Sequence, residues 1–460
     1  MTSEEAPSAA GTRRGWLDAL GLSRPELRAW ALYDWANSAM VTTIITAVFP
    51  IYFSKVACHG LAQGEGTKRL AMATTIGMVI IAVLAPILGT IADTRPIKKR
   101  FLGGFLVLGL GSVAAMFFIY QGDWLLASVL FIFANIGANG SFVFYDSLLP
   151  HVAREDEIDR VSTAGYALGY VGGGLLLILN LGWIMHPDWF GMPSGNNLTP
   201  EQQSLPSRLA FLSVAIWWGL FSIPLFRRVS EPPVRLEPGE SRGENPVLAA
   251  FGRLRETFRH LKRYRQGLLM LLAFLIYNDG IGTVIRMATV YGEELKIDQT
   301  WMIGSIIVVQ FVGIPCAFGF GLLAEKFRAK TLILFSLCVY VGISILGYFM
   351  TTGVHFLLLA GLVGLVQGGS QALSRSLFAS LIPRERSGEF FGFFAVVEKF
   401  AGIAGPFLFW LSLEAVGSIR ASILTVIPFF IVGGGLLLMV DVDRGRKEAR
   451  EIEAHPSEVS

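Results

Sequence analysis

Apolar stretches about twenty residues long follow one another along nearly the whole chain, separated by short polar or basic segments. An α-helix needs a run of that length to cross the hydrocarbon core of a bilayer, because each residue advances it by about 1.5 Å. The pattern predicts twelve spans, at 30–53, 70–92, 101–120, 124–149, 161–184, 208–226, 268–291, 301–324, 331–351, 355–382, 390–413 and 421–440. Ser23 and Glu26 have capping-box spacing and predict the start of the first helix. The expected fold is an all-α membrane protein. It divides into a polar segment over 1–29, a bundle over 30–226, a linker over 227–265, a second bundle over 266–440 and a tail over 441–460. The first 29 residues hold no apolar core, so no cleavable signal peptide is expected.

The two bundles repeat each other. "GTIADTRPIKKR" (89–100) leaves the second span and "GLLAEKFRAK" (321–330) leaves the eighth, with the same Gly-x-x-Ala-acid frame at an offset of 232. "DSLLPHVARED" (146–156) and "ASLIPRERSGE" (379–389) match at an offset of 233. Two matches at nearly one offset predict two six-helix, pseudo-symmetric halves in parallel orientation. The linker between them predicts a surface helix. Asn245 caps it, Val247, Phe251, Leu254, Phe258 and Leu261 share one face, and basic residues suited to anionic lipid fill the rest.

Polar residues inside the spans are costly in lipid and belong on a bundle interior or a water-filled path. Charged and amide residues occur in spans 1, 4, 5, 7, 8, 10 and 11 and, apart from Arg208 at the outer end of span 6, are missing from 3, 6, 9 and 12, which predicts that those four are the outer, lipid-facing helices. Span 1, "ALYDWANSAMVTTIITAVFPIYF", carries Asp34, Ser38, Thr42 and Thr46 four apart, with Asn37 beside them, as one stripe. Asn135, Asn139 and Asp146 share a face of span 4, and Asp279, Thr283 and Arg286 a face of span 7. Gln367, Ser370, Gln371, Ser374 and Arg375 line span 10; Tyr166 and Tyr170 come from span 5, and Glu398 and Lys399 from span 11. By helical rise, Asn37, Asn135, Asn139, Asp279, Gln367, Gln371, Glu398 and Lys399 lie within roughly 6 Å of the midplane. Asp279 is expected to contact Lys399, with Glu398 the alternative partner. Asp34 and Asp146, in the first half, lie at the depth of Arg375 in the second, a spacing suited to a contact that opens and closes. Asp34, the head of the span 1 stripe, is the expected coupling carboxylate.

Charge then orients the chain. With both termini inside, 29 Lys and Arg fall on inner segments and 6 on outer ones, which places both termini in the cytoplasm. The net charge of +3 therefore reports topology and implies no nucleic-acid partner. Hydrophobic residues make up 53% and charged residues 16% of the chain, against about 45–50% and 25% in soluble domains. The three cysteines have no metal-ligand spacing, the six histidines lie in loops or at span ends, and there is no nucleotide-binding loop or hydrolase motif. No cofactor, no metal, no ATP-driven pumping and no enzymatic activity are expected.

With these features in view the sequence resembles the major facilitator superfamily, and within it the vacuole-effluxer-like branch. The strings that carry the resemblance are "YDWANSA", "FYDSLLP", "GYALGYVGGG", "YNDGIGTVIRMATVYG" and "GLVQGGSQALSRSLFASLIP", over residues 28 to about 440. That branch includes autophagy-related fungal proteins that export amino acids from the vacuole. The resemblance implies gating contacts at the paired loops, through Gly89, Asp93 and Arg95 in one and Gly321 and Glu325 in the other, with Asp146 nearby. It implies a monomeric secondary transporter of a small polar solute, an amino acid above all, coupled to protons and set in a bacterial inner membrane. Efflux of amphipathic drugs or lipids is the alternative, favoured by the aromatic Phe142, Tyr166 and Tyr170; a receptor or scaffold would not need so many mid-membrane charges.

Overall fold

The computed structural model describes residues 15–62, 65–195, 197–234, 264–400 and 418–454, together with positions 405, 408, 409, 411, 412 and 414. Among the described residues the regular structure is helical throughout. After a single turn at Trp16–Ala19 come α1 (Pro25–Ala57), α2 (Glu65–Thr94), α3 (Lys98–Ala115), α4 (Trp124–Val152), α5 (Ile158–Met185) and α6 (Pro200–Arg228). The second half holds α7 (Arg265–Glu294), α8 (Gln299–Phe327), α9 (Ala329–Tyr348), α10 (Gly353–Ser380), α11 (Ser387–Phe400) and α12 (Ile427–Met439), and α13 (Val442–Ala454) follows. Eleven of the predicted spans are helices long and apolar enough to cross a membrane among the described residues. The other is described over α11 and at the single positions beyond it. The surface helix expected at 247–261 lies outside the described residues.

The start of α1 differs from the capping-box expectation. Arg24, extended at φ −95° and ψ 148°, is the N-cap, and Pro25 takes the first helical position. Proline lacks an amide hydrogen and forces the preceding residue out of helical conformation, so it overrides the Ser23–Glu26 spacing. Arg24 instead donates to the Val152 carbonyl at 3.0 Å and to the Glu157 carboxylate, tying α1 to the α4–α5 connection.

The lower part of α1 is α-helical to Ala39, but Met40–Ala47 winds as a π-helix. Six consecutive residues there, Val41 to Thr46, are β-branched and crowd the preceding turn of an α-helix. The threonines also divert backbone carbonyls: Thr46 Oγ1 donates to Val41 O at 2.9 Å, and Thr42 Oγ1 to Ser38 O at 3.0 Å and to Gly173 O at 3.2 Å. The wider winding breaks the four-residue stripe expected from Asp34 to Thr46. Its register holds as far as Thr42, which meets Gly173 on α5 as Ser38 meets Gly169, and Thr46 is left exposed.

Helices α3, α6, α9 and α12 pack mainly on elements of their own half among the described residues, with Lys98 at the start of α3 reaching across to Ser387. Large apolar side chains on them face outward, including Val107, Ile216, Phe335 and Ile431. The halves meet through α2 with α11 and α5 with α8, a pair of crossings related by the internal repeat, with α4 and α10 behind them. The repeated glycines sit at these crossings. A Cβ on Gly89 would run into the Gly388 carbonyl, and one on Gly321 into the Thr163 hydroxyl and the Arg160 backbone. Gly392 is equally constrained, its Cβ position lying 2.7 Å from Ala85 O and Pro86 Cα. Helix α13 then crosses the end of the bundle. Asp441 N donates to Gln266 Oε1 at 2.9 Å, Arg446 Nε to Ser380 Oγ at 3.3 Å, and Arg450 to Glu155 of the first half. Arg450 thereby holds the Glu155 carboxyl below the usual carboxylate range.

Gly89→Val and Gly321→Val should each force a backbone crossing apart, at about 1–3 kcal/mol of overpacking strain. Melting of the purified protein should show the loss, while the same change at Gly104, where a Cβ meets open space, should leave the midpoint in place.

Candidate functional site

Arg375 arrives on α10 because its long, mostly apolar face keeps the helix buried from Gly368 to Ala379, with the guanidinium aimed at the first half. The side chain is 2% exposed. Nη1 lies 3.0 Å from Asp146 Oδ1 on α4 and 3.3 Å from Asp34 Oδ2 on α1. Nε donates to Ser162 Oγ and Nη2 to Ser162 O on α5, both at 2.9 Å. The Tyr145 hydroxyl donates to Asp34 Oδ2 at 3.2 Å. The rings of Tyr166, Trp30 and Tyr145 stand 4.6, 4.9 and 5.6 Å from Cζ. Trp30 and Tyr145 stack at 4.4 Å, and Trp30 Nε1 donates to Tyr145 O at 3.0 Å, which fixes the enclosure. The two acids and the arginine read from matching depth are thus in contact. A buried cation is tolerated where it is paired and hydrogen-bonded, and Arg375 is both.

Nearer the chain termini lies a second layer of contacts between the halves. Asp93, at the end of α2, accepts from Gly388 N at 3.0 Å and Glu389 N at 2.7 Å, capping the N-terminus of α11. Lys98 Nζ sits 2.8 Å from Asp93 and 2.6 Å from Ser387 Oγ, with His151 Nε2 3.1 Å from that same hydroxyl. Sequence reasoning selects Arg95 in this loop, but Arg95 is exposed and the cation seated on Asp93 is Lys98. The turn at Arg95–Pro96 swings one side chain out, and α3 begins with the other facing in. On the repeat-related side Glu325 pairs with Arg160, Ser162 Oγ donates to Ala372 O at 2.7 Å, and Ser376 Oγ donates to Asp159.

The remaining candidates are dispersed. Ser38 packs against Gly169 beside Asp34, and Tyr170 lies over Gly313 and Gly368 of the second half. Glu398 on α11 lies within electrostatic reach of Asp146 and Tyr166. Asn135 and Asn139 turn their amides back onto α4, donating to Phe131 O and Asn135 O at 3.0 and 2.9 Å. Gln367 and Gln371 are half-buried one turn apart on α10. Asp279 accepts from Gly405 N at 3.2 Å through both oxygens, and Arg286 folds back over Gly282. The Lys399 side chain, expected on Asp279, lies outside the described residues. Asn37 is fully buried, and neither amide atom has a hydrogen-bond partner among the described residues. It stands one turn beyond Tyr33, whose hydroxyl points toward Ser141 and Trp218.

Trp30, Tyr145 and Ser162 escaped the sequence reading, which searched spans for charges and amides. The signal was there: Trp30 is one turn before Asp34, and Tyr145 is adjacent to Asp146. Arg375→Met should strand two buried carboxylates and cost about 3–5 kcal/mol. Adding Asp34→Asn and Asp146→Asn should recover most of the loss in the melting midpoint of the purified protein; a triple variant no more stable than the single one would refute this electrostatic account.

Residues 22–450 match the family described as vacuole effluxer Atg22 like. The uncharacterized MFS-type transporter YxiO of Bacillus subtilis is 37% identical over 414 residues, covering 90% of this chain and 94% of that protein. Autophagy-related protein 22 of Coccidioides immitis is 24% identical, covering 84% of this chain and 74% of its own. Among solved structures, the major facilitator transporter FucP in its outward conformation superposes with a TM-score of 0.67 at 12% identity, over 92% of this chain and 99% of that one. The proton:xylose symporter XylE superposes with a TM-score of 0.67 at 15% identity, over 92% and 95%. At such identities these two structures speak for the helical fold alone. The family match spans nearly the whole chain and agrees with the two repeated bundles and their paired loops: this protein belongs to the vacuole effluxer Atg22-like family of major facilitator transporters.

Proposed function

We propose that this transporter moves a small polar solute, an amino acid or similar zwitterion, by alternating access, with Asp34 as its proton-coupling carboxylate. The observation that carries the reading is the insertion of Arg375 from one half between Asp34 and Asp146 of the other. Around it, the contacts of Asp93, Arg160, Asp159 and Ser162 with the second half gather toward the end that bears both termini. The excess of Lys and Arg makes that end cytoplasmic, in a bacterial inner membrane. The path is then closed to the cytoplasm and turned outward. Rocking the halves about the α2–α11 and α5–α8 crossings reverses the access, and the chain does this as a monomer.

Coupling follows from the same contact. When the cytoplasmic end opens, Arg375 leaves with its half, and a carboxylate stranded in a dry enclosure recruits a proton or a cationic group. A zwitterion suits the site because it presents an ammonium to Asp34 while an arginine can take its carboxylate. The description of the family as effluxers supports export, and the name of the XylE neighbour as a proton symporter supports proton use within this fold.

In proteoliposomes, Asp34→Asn should abolish proton-gradient-driven uptake of the transported amino acid while leaving the protein folded. Uptake and counterflow both persisting at wild-type rates would remove Asp34 from the mechanism. Cysteines at Ser162 and Ala372, whose backbone and hydroxyl meet in the closed state, should cross-link readily without solute and slowly during turnover; equal rates in both conditions would mean that this contact does not open.

A further inference from the structure

The enclosure around Arg375 belongs almost wholly to the other half. Asp34, Asp146, Ser162, Trp30, Tyr145 and Tyr166 come from α1, α4 and α5, whereas the guanidinium comes from α10. Part of that enclosure is braced within the first half itself. Trp30 and Tyr145 stack on each other and share a hydrogen bond, and the Tyr145 hydroxyl holds Asp34. Gly165 keeps the floor open: a Cβ there would lie 3.0 Å from Asp34 Oδ2 and 3.2 Å from Arg375 Nη2. The result is a receptor for a planar cation, built by one half and filled by a side chain of the other.

We propose that the first half carries an organic-cation site which takes the guanidinium or alkylammonium head of the solute once Arg375 withdraws, so that Arg375 acts as a tethered competitor for it. Charge requires neutralisation, by a proton or by a cationic occupant. Asp34 and Asp146 are 4% and 8% exposed and share one guanidinium, so its departure leaves two buried anions side by side. Chemistry selects which occupant. Aromatic faces attract polarisable, weakly hydrated cations, and the fork of acceptors formed by Asp146 Oδ1, Asp34 Oδ2 and the two Ser162 oxygens matches the planar donors of a guanidinium. An alkali ion gains less from rings and has a costlier hydration shell to lose. Because Arg375 also joins the halves, a cation that displaces it loosens the cytoplasmic closure, which links arrival of solute to opening. This inference rests on the transporter reading and names the chemical class of its substrate as amines and basic amino acids.

The test is chemical rescue. Purified Arg375→Ala should melt below wild type, and millimolar agmatine or methylguanidinium should restore at least half of the lost midpoint. Potassium chloride at equal ionic strength should restore none, and Asp34→Asn in the same background should abolish the rescue. Rescue no better than potassium chloride, or rescue indifferent to Asp34→Asn, overturns the proposal. A second measurement keeps Arg375 in place: in a Ser376→Cys variant with Cys58, Cys316 and Cys338 replaced by alanine, agmatine should speed maleimide labelling several-fold over potassium chloride. An unchanged labelling rate overturns it as well. Melting reads occupancy without turnover, so rescue without solute flux would uphold the cation site and remove the transport reading. Flux of neutral zwitterions without rescue would do the reverse.

Discussion

One guanidinium answering two carboxylates across a dry boundary is the constraint around which this molecule is arranged. Arg375 is buried against Asp34 and Asp146, and those acids cannot both be buried in ionised form without a cation. Since the partners belong to different halves, the cost of separating them becomes the cost of opening the path at that end. The aromatic walls add attraction and exclude water, which strengthens every charge–charge term inside.

The glycine crossings let this contact form. Charge pairs of this kind need the two backbones to approach closely, and a side chain at Gly89, Gly321 or Gly392 would hold the halves apart. Close approach in turn lets Asp93 reach the first amides of α11 and Glu325 reach Arg160. The internal repeat supplies the same device twice, one acid beyond each glycine, so the closure is supported on both sides of the pseudo-two-fold axis. Helix α13 adds a third tie through Glu155, which faces Arg450.

Along α1 the chain changes from α to π winding just beyond Asp34 and Ser38. The change reorients everything after it, and π segments concentrate at functional positions because they free backbone groups and widen the helix. Asn37, buried with its amide unsatisfied among the described residues, sits on the approach to that segment.

Hydropathy and charge read from the sequence suffice for the membrane class, the two-bundle organisation, the outer role of α3, α6, α9 and α12, and the shared depth of Asp34, Asp146 and Arg375. These properties depend on composition and helical rise alone, and rise is nearly the same for every residue. Side-chain direction and choice of partner are another matter. That Asn135 and Asn139 bond to their own helix, that Lys98 and not Arg95 meets Asp93, and that Trp30 and Tyr145 enclose the cation were decided by packing between distant segments. The same holds for Thr46 at the end of the α1 stripe, because periodicity assumes a uniform turn and the β-branched run imposes a wider one. A sequence states which groups are too polar for lipid; only the folded neighbours determine which of them touch.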